Sequence, residues 1–207
     1  MLFRSLVESG SITKYLNGNK GITLNDLQYP RAIYTLWTEA ERNAIGIYSI
    51  VYDNTNKKDE RWYINTNQSY AFANGKVTAT YGTATAKAHA DTTWSQDDED
   101  NGDLPDDKSV GDVKAEGLKT GLIRTVKVQA ANVLSSTDWY ITRKAEKSTA
   151  IPSAITTHRN LVRSRQAAME TAITNASDTP ALETLYTYTE DSDGVVSRPL
   201  PEIPTLD

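Results

Sequence analysis

The chain has 207 residues, a net charge of −5, 38% hydrophobic residues and no cysteine. The absence of cysteine excludes disulfide bonds, cysteine zinc ligands and thiol nucleophiles, and the acidic balance argues against general nucleic-acid binding, which needs a basic surface. The length allows one large or two small domains with small cores, and no apolar stretch is long enough to span a bilayer or to form a secretory signal, so we expect a soluble protein without membrane insertion.

Residues 1–30 read as an irregular, turn-rich segment. Asn17-Gly18 and Lys20-Gly21 are strong turn signals. The apolar residues between and after these turns are expected to anchor short strands or a docked arm. They are Leu16, Ile22, Leu24 and Leu27.

Residues 38–81 predict a short helix followed by a small antiparallel sheet. Thr38 and Glu41 have the spacing of a capping box, which predicts a helix from about 39 to 45 that ends near Gly46. From Ile47 the apolar period becomes two, as in a strand, and residues 61–65 predict a second strand. Asn74-Gly75 favours a type I′ turn between strands at 70–72 and 77–81. Aromatic side chains are expected to supply most of the buried area: Trp37, Tyr48, Tyr52, Trp62, Tyr63, Tyr70 and Phe72.

An acidic run at residues 97–107 indicates a domain boundary, since it carries seven acids and no base. A calcium-binding reading is the alternative. An EF-hand loop with its glycine at Gly102 would start at Asp97, but its twelfth position would be Lys108 instead of the bidentate glutamate. That departure favours a solvated linker, and Asp191 to Gly194 reads as a turn.

The apolar period becomes helical after the acidic run. The first predicted helix buries Leu118, Leu122, Val126, Ala130 and Val133, with Ser109 or Asp112 as its cap. A short helix is predicted over 139–147, with Thr137 or Asp138 able to cap it. Ile151-Pro152 starts the longest helix. Its apolar stripe is predicted to contain Ile155, His158, Val162, Arg165, Met169 and Ile173.

The final segment, 190–207, contains three prolines after Arg198 and is expected to run extended. It is predicted either to fray or to dock on a partner. The fold class is therefore α+β: a small antiparallel β-sheet domain with one short helix, an α-helical C-terminal domain and an extended Pro-rich tail. The expected boundaries are 1–94, 95–109 for the acidic linker, 110–189 and 190–207.

No pattern of catalytic residues stands out. His89 lies in a polar stretch and His158 on a helix, and neither has a serine or carboxylate in a recognisable context. No Walker motif or dinucleotide fingerprint occurs. The sequence thus predicts no catalytic residue, no cofactor and no metal site.

The stretch 137–165 carries a family resemblance. Its Thr137-Asp138-Trp139 turn, Pro152 helix start and helical Arg159 and Arg163 resemble the C-terminal segment of tail-assembly-chaperone-like accessory proteins of tailed bacteriophages. The stretch 27–48, which contains YPRAIYTLWTEAER, is a weaker match to an N-terminal module of the same proteins.

The resemblance implies a non-enzymatic structural or accessory role at the tail or tail fibres, through protein–protein contacts in the virion after synthesis in the host cytoplasm. It implies other tail or fibre proteins as partners, several copies in an assembly and no nucleic acid. Two alternatives stand beside it. One is an assembly chaperone that is absent from the mature particle, and the other is a glycan-binding or glycan-cleaving module at a fibre tip.

The residues that we expect to contact partners are Trp139, Tyr140, Arg143, Arg159, Arg163, Pro199, Pro201 and Pro204. Two of these expectations have structural alternatives. Trp139 is also suited to anchoring a domain. The basic residues, with Lys144 and Arg165, are also suited to pairing with Asp138, Glu146, Glu170 or the acidic run instead of with a partner.

Overall fold

The structure is a computed structural model that describes residues 4–206. The chain divides into two compact units, Met1–Thr85 and Ala86–Asp207, which are described separately. The chain contains strands and helices, with a curled sheet in unit 1 and the long helices in unit 2, so the predicted α+β class is confirmed. The division between the units precedes the boundary that the sequence placed after residue 94.

The elements of unit 1, in chain order, are β1 (Arg4–Glu8), β2 (Ser11–Leu16), β3 (Ile22–Leu24), β4 (Leu27–Tyr29), α1 (Ile33–Leu36), α2 (Glu39–Ala44), β5 (Ile47–Asp53), β6 (Tyr63–Ile64), β7 (Ser69–Ala73), β8 (Lys76–Thr80) and, at its end, β9 (Thr85–Ala86). The main sheet has the strand order β2-β1-β5-β8-β7. Strand β5 pairs with β8 in parallel and the other neighbours are antiparallel. The predicted purely antiparallel sheet is therefore wrong. The hairpin of β7 and β8 joins the sheet through β8, its second strand. The turn signal does not specify which strand of the hairpin pairs with the rest of the sheet.

Two local predictions in unit 1 are confirmed. The Thr38 hydroxyl accepts a hydrogen bond from the Glu41 backbone N–H, and the Glu41 carboxylate accepts one from the Thr38 N–H, as a capping box requires. Asn74 and Gly75 have φ angles of +50° and +70° between β7 and β8, as the type I′ turn demands. The expectation of one short helix is wrong because α1 precedes α2.

The N-terminal segment is more regular than expected, because β1 and β2 are two of the five strands of the main sheet. Leu6 and Val7 of β1 are both buried, although adjacent strand residues face opposite sides of a sheet. They belong to two separate core clusters, one on each face. One contains Leu6, Leu16, Ile22, Ile33, Tyr34 and Ile47, and the other contains Val7, Ile50, Val77 and Ala79.

These clusters are mainly aliphatic, which corrects the expectation of an aromatic core. Trp62 and Tyr63 are buried, but Tyr52 is 46% exposed. Tyr48, Tyr70 and Phe72 only flank the second cluster.

The elements of unit 2 are β10 (Thr92–Thr93), α3 (Gln96–Asp100), β11 (Val113–Ala115), α4 (Leu118–Ser135), α5 (Asp138–Lys147), α6 (Ser153–Asn175), α7 (Thr179–Tyr186), β12 (Thr189–Glu190) and β13 (Val196–Ser197). Helices α4 and α6 pack together through buried apolar residues. These are Val126 and Ala130 of α4 and Ile155, Val162, Met169 and Ile173 of α6. Arg165, which the sequence placed in this stripe, is exposed.

Helix α4 begins later than predicted. Its N-cap is Gly117, not Ser109 or Asp112, because the intervening residues pair as β11 with β10. The Asp91 carboxylate accepts hydrogen bonds from the Gly117 N–H at 2.7 Å and from the Thr120 hydroxyl. These bonds lower the pKa of Asp91 and supply the cap that glycine lacks. A Cβ at position 117 would lie 2.3 Å from the Ala90 backbone, so this approach requires glycine.

The predicted acidic linker and the predicted extended tail both contain secondary structure. The acidic segment contains α3. The predicted tail begins inside a hairpin of β12 and β13, whose loop is closed by the Asp191 carboxylate, as the turn prediction for Asp191 to Gly194 anticipated. No helix within residues 4–206 is both long and apolar enough to cross a membrane.

Candidate docking surface

Arg159 of α6 is bonded to the end of α4 and to the start of α5 in unit 2. Its side chain is only 6% exposed. It donates hydrogen bonds to the Leu134 carbonyl at 2.9 Å, to the Thr137 hydroxyl at 2.6 Å and to the Asp138 carboxylate at 2.8 Å. Arg159 is thus a partner of α4 and α5, so the structural alternative applies to it. It is not part of an exposed basic face.

An exposed aromatic group begins at Trp139, one residue after Asp138. Trp139 is 51% exposed and its ring lies 3.7 Å, centroid to centroid, from that of Tyr140. The guanidinium of Arg143, one turn later, lies over both rings at 4.7 and 5.1 Å. Its Nε atom is shielded and has no hydrogen-bond partner among the described residues. We call Trp139, Tyr140 and Arg143 the α5 surface.

The α5 surface has the composition that protein interfaces prefer at their centres, where Trp, Tyr and Arg are enriched. Stacking of a guanidinium on an aromatic face restrains both side chains before any partner arrives. The ring pair and Arg143 therefore form a preorganised, half-exposed aromatic patch with one positive charge.

The proline-rich end of the chain packs partly on its own unit. Leu200 is fully buried and its N–H donates to the Leu185 carbonyl at 3.0 Å. Arg198 lies over the ring of Tyr188 at 5.0 Å, and the Tyr188 hydroxyl donates to Glu202 at 2.5 Å. Pro199 is exposed, while Pro201 and Pro204 are half-buried.

The structure brings together only some of the residues that the sequence selected. Trp139, Tyr140 and Arg143 form one patch, and Arg163 is exposed on α6 one turn beyond the buried Arg159. The spacing of four places the two arginines on the same side of α6. They do not form one basic surface, because Arg159 is buried and bonded to the connection between α4 and α5, while Arg163 is exposed.

The next titratable groups are His158 on α6 and the carboxylates of residues 97–107. His158 is buried on α6, and its Nε2 has no hydrogen-bond partner in the described chain. Asp98 accepts hydrogen bonds from Lys114 Nζ at 2.5 Å and from the Ser95 N–H, which lowers its pKa to about 2. Residues 4–206 contain no group of three His, Asp or Glu side chains placed to hold a metal ion.

A further aromatic site lies in unit 1 and was not identified from the sequence. Its six lining residues enclose about 370 Å³, and they are Tyr15, Ile50, Tyr52, Gln68, Tyr70 and Tyr81. We call it the tyrosine groove. The signal available in the sequence was the alternation that places Ile50 and Tyr52 on one face of β5, but the pairing that brings Tyr15 near Tyr70 has no local signature.

Comparison with known proteins returned no matching family model, no matching curated protein and no matching solved structure.

Proposed function

We propose that this protein is a non-enzymatic structural or accessory protein of a tailed bacteriophage, associated with the tail or its fibres and acting through protein–protein contacts. The α5 surface is the proposed contact site. The half-exposed Trp139, in contact with Tyr140 and Arg143, is the observation that carries the proposal. The segment that contains Thr137–Trp139 and Pro152 resembles tail accessory proteins. This resemblance is the reason for proposing a phage tail.

The hydrogen bonds of Arg159, next to the α5 surface, support this role. Arg159 ties Asp138, the first residue of α5, to α6 and to the end of α4. The backbone that carries Trp139 is therefore fixed on packed helices. Rigid presentation of an aromatic anchor lowers the entropy lost on binding, so the buried arginine contributes to docking through position and not through direct contact.

Quantitative mass spectrometry of purified virions tests the proposal. A structural protein is expected in a fixed ratio to the tail proteins. If the chain is found in infected cells on tail intermediates but is missing from virions, the assembly chaperone replaces the structural protein as the function. Absence from both preparations would refute a tail role altogether.

Truncation of an exposed side chain on the α5 surface, compared with truncation of one outside it, tests the site itself. Trp139→Ala should lower incorporation into tails at least tenfold, since aromatic anchors of this type contribute about 2 kcal/mol or more. Leu161→Ala is the matched control, because Leu161 is 43% exposed on α6 and lies outside the α5 surface. Equal incorporation of both variants would show that the α5 surface is not the contact site.

A further inference from the structure

Helix α5 carries its positive charges on the same face as its aromatic pair. Five side chains lie within about 140° of the helix circumference, since each residue of a helix turns by about 100°, and they are Trp139, Tyr140, Arg143, Lys144 and Lys147. The rings are in the first turn and the three cations follow them along the helix. Lys144 and Lys147 are exposed, and Arg143 is half-buried beside the rings. The α5 surface therefore continues into a basic stretch towards the end of the helix.

No carboxylate within residues 4–206 forms an ion pair with any of these three cations. Glu146 follows Arg143 by three residues, a spacing that allows contact on a helix, but it is not among the ion pairs of the described chain. Asp138, at the start of α5, is bonded to Arg159 at 2.8 Å. The cations thus form an unneutralised positive face on a chain whose net charge is −5.

The guanidinium of Arg143 is restrained by the rings while its outer donors are unused. Its attraction to the rings of Trp139 and Tyr140 is electrostatic and needs no hydrogen bond from the guanidinium. The Nε atom is shielded, whereas the two Nη atoms are accessible to solvent and make no hydrogen bond to a described residue. The planar fork of an arginine matches a carboxylate, whose two oxygens can each accept one of its N–H groups.

We propose that the α5 surface, together with Lys144 and Lys147, binds an acidic segment of a partner protein. The inference rests on the proposed function for the location of the site, and it adds the charge of the partner. One carboxylate of the segment pairs with the Nη groups of Arg143, and further carboxylates pair with the two lysines. An apolar part of the segment covers the exposed ring of Trp139. Charge complementarity of this kind speeds association and disfavours basic partners.

The small extent of the basic face disfavours a nucleic acid as the partner. Aromatic and arginine side chains can stack on bases, but affinity for the phosphate backbone needs many cations that neutralise many phosphates. The three cations of α5 lie within about 6 Å along the helix axis, because each residue rises by about 1.5 Å. The chain as a whole is acidic. A short acidic peptide segment matches the size of this face better than a phosphate backbone does.

Titration calorimetry of the full chain with hexaglutamate at low ionic strength tests the inference. We expect saturable binding that weakens as salt is added, because exposed charges are screened. Arg143→Met keeps the aliphatic stem and removes the charge, so Kd should rise at least about tenfold. Arg143→Lys keeps the charge but loses the planar fork, so its Kd should be intermediate. Arg31→Met is the matched control, because it removes an exposed arginine of unit 1, and its Kd should equal that of the wild type.

Three results of this titration would overturn the inference. The first is the absence of saturable binding at millimolar hexaglutamate. The second is binding of hexaglutamate that is unchanged in Arg143→Met. The third is tighter, Arg143-dependent binding of a ten-residue oligothymidylate, which would make α5 a nucleic-acid surface. Circular dichroism spectra identical to wild type establish that each variant is folded.

The experiment separates this inference from the proposed function. Arg143-dependent binding of hexaglutamate by a chain that is missing from virions and from tail intermediates would support the acidic partner and refute the tail role. The opposite combination is loss of tail incorporation in Trp139→Ala without any binding of hexaglutamate. That result would support the α5 surface as the docking site in the tail and refute the acidic partner.

Discussion

Arg159 is a buried residue that bonds α6 to the connection between α4 and α5. Replacing it by methionine keeps the aliphatic stem but removes its hydrogen bonds to the Leu134 carbonyl, the buried Thr137 hydroxyl and the Asp138 carboxylate. The Leu134 carbonyl keeps the N–H and the hydroxyl of Thr137 as donors, so the cost is that of the lost bonds to a charged group, which contribute about 1.5–3 kcal/mol. We therefore expect Arg159→Met to lower the free energy of unfolding by about 2 kcal/mol, measured by urea unfolding followed by circular dichroism.

Arg163→Met is the control for this prediction, because it makes the same change on the same helix at an exposed position. Exposed substitutions usually change stability by less than about 0.5 kcal/mol. If the two variants unfold alike, Arg159 does not join the helices in the way its hydrogen bonds indicate.

At the level of elements, the sequence predicts what local chemistry controls. The Thr38–Glu41 box and the Asn74-Gly75 turn each act over four residues, and both occur as predicted. Strand β1 was missed because its two faces are both buried, so its sequence does not alternate. The parallel pairing of β5 with β8 was missed because it depends on which strand of a hairpin joins the sheet, a long-range choice.

In the candidate site too, local contacts were predictable from the sequence and long-range contacts were not. Trp139 and Arg143 are four residues apart on one helix, so their contact was predictable. The ring contact of the adjacent residues Trp139 and Tyr140 was not, because neighbouring residues on a helix do not face each other. The burial of Arg159 depends on how the connection between α4 and α5 meets α6. The tyrosine groove depends on strands from distant parts of unit 1. Neither arrangement has a signature within a single window of the sequence.

Helix α3 gives the clearest pH-dependent prediction. The folded pKa of Asp98 is about 2, below its ordinary value of 3.8, chiefly because of Lys114 and then Ser95. A lowered pKa means that the ionised form is favoured by folding, so this stabilisation is complete above about pH 4 and is lost as the pH falls towards 2.

The titration of the Asp98 carboxyl carbon by NMR measures this effect. Lys114→Met should raise the pKa of Asp98 towards its ordinary value, since it removes the largest cause of the shift. Lys108→Met is the control, because Lys108 is a neighbouring lysine whose ion pair is with Asp107. An Asp98 pKa that is unchanged in Lys114→Met would show that the 2.5 Å ion pair does not form in solution.

At the scale of the whole molecule, helix α7 is bonded to segments near both ends of unit 2. Near its start, the Lys87 carbonyl accepts a hydrogen bond at 2.6 Å from the Thr179 hydroxyl at the beginning of α7. Near the end of the chain, Leu200 bonds to Leu185 in the same helix. Helix α7 is therefore held by residues that are far from it in the sequence, and the proline-rich end takes part in the fold.

Leu200 tests whether the end of the chain stabilises unit 2. Truncation of a fully buried leucine costs about 2–5 kcal/mol, through lost burial and the cavity that remains. Leu200→Ala should therefore speed amide hydrogen exchange throughout α7 and lower the urea midpoint of helix loss. Leu206→Ala makes the same change at a position that is 44% exposed, so it should leave exchange in α7 unchanged. Equal protection of α7 in wild type and Leu200→Ala would mean that the proline-rich end does not hold this helix, and the segment would then be free to bind elsewhere.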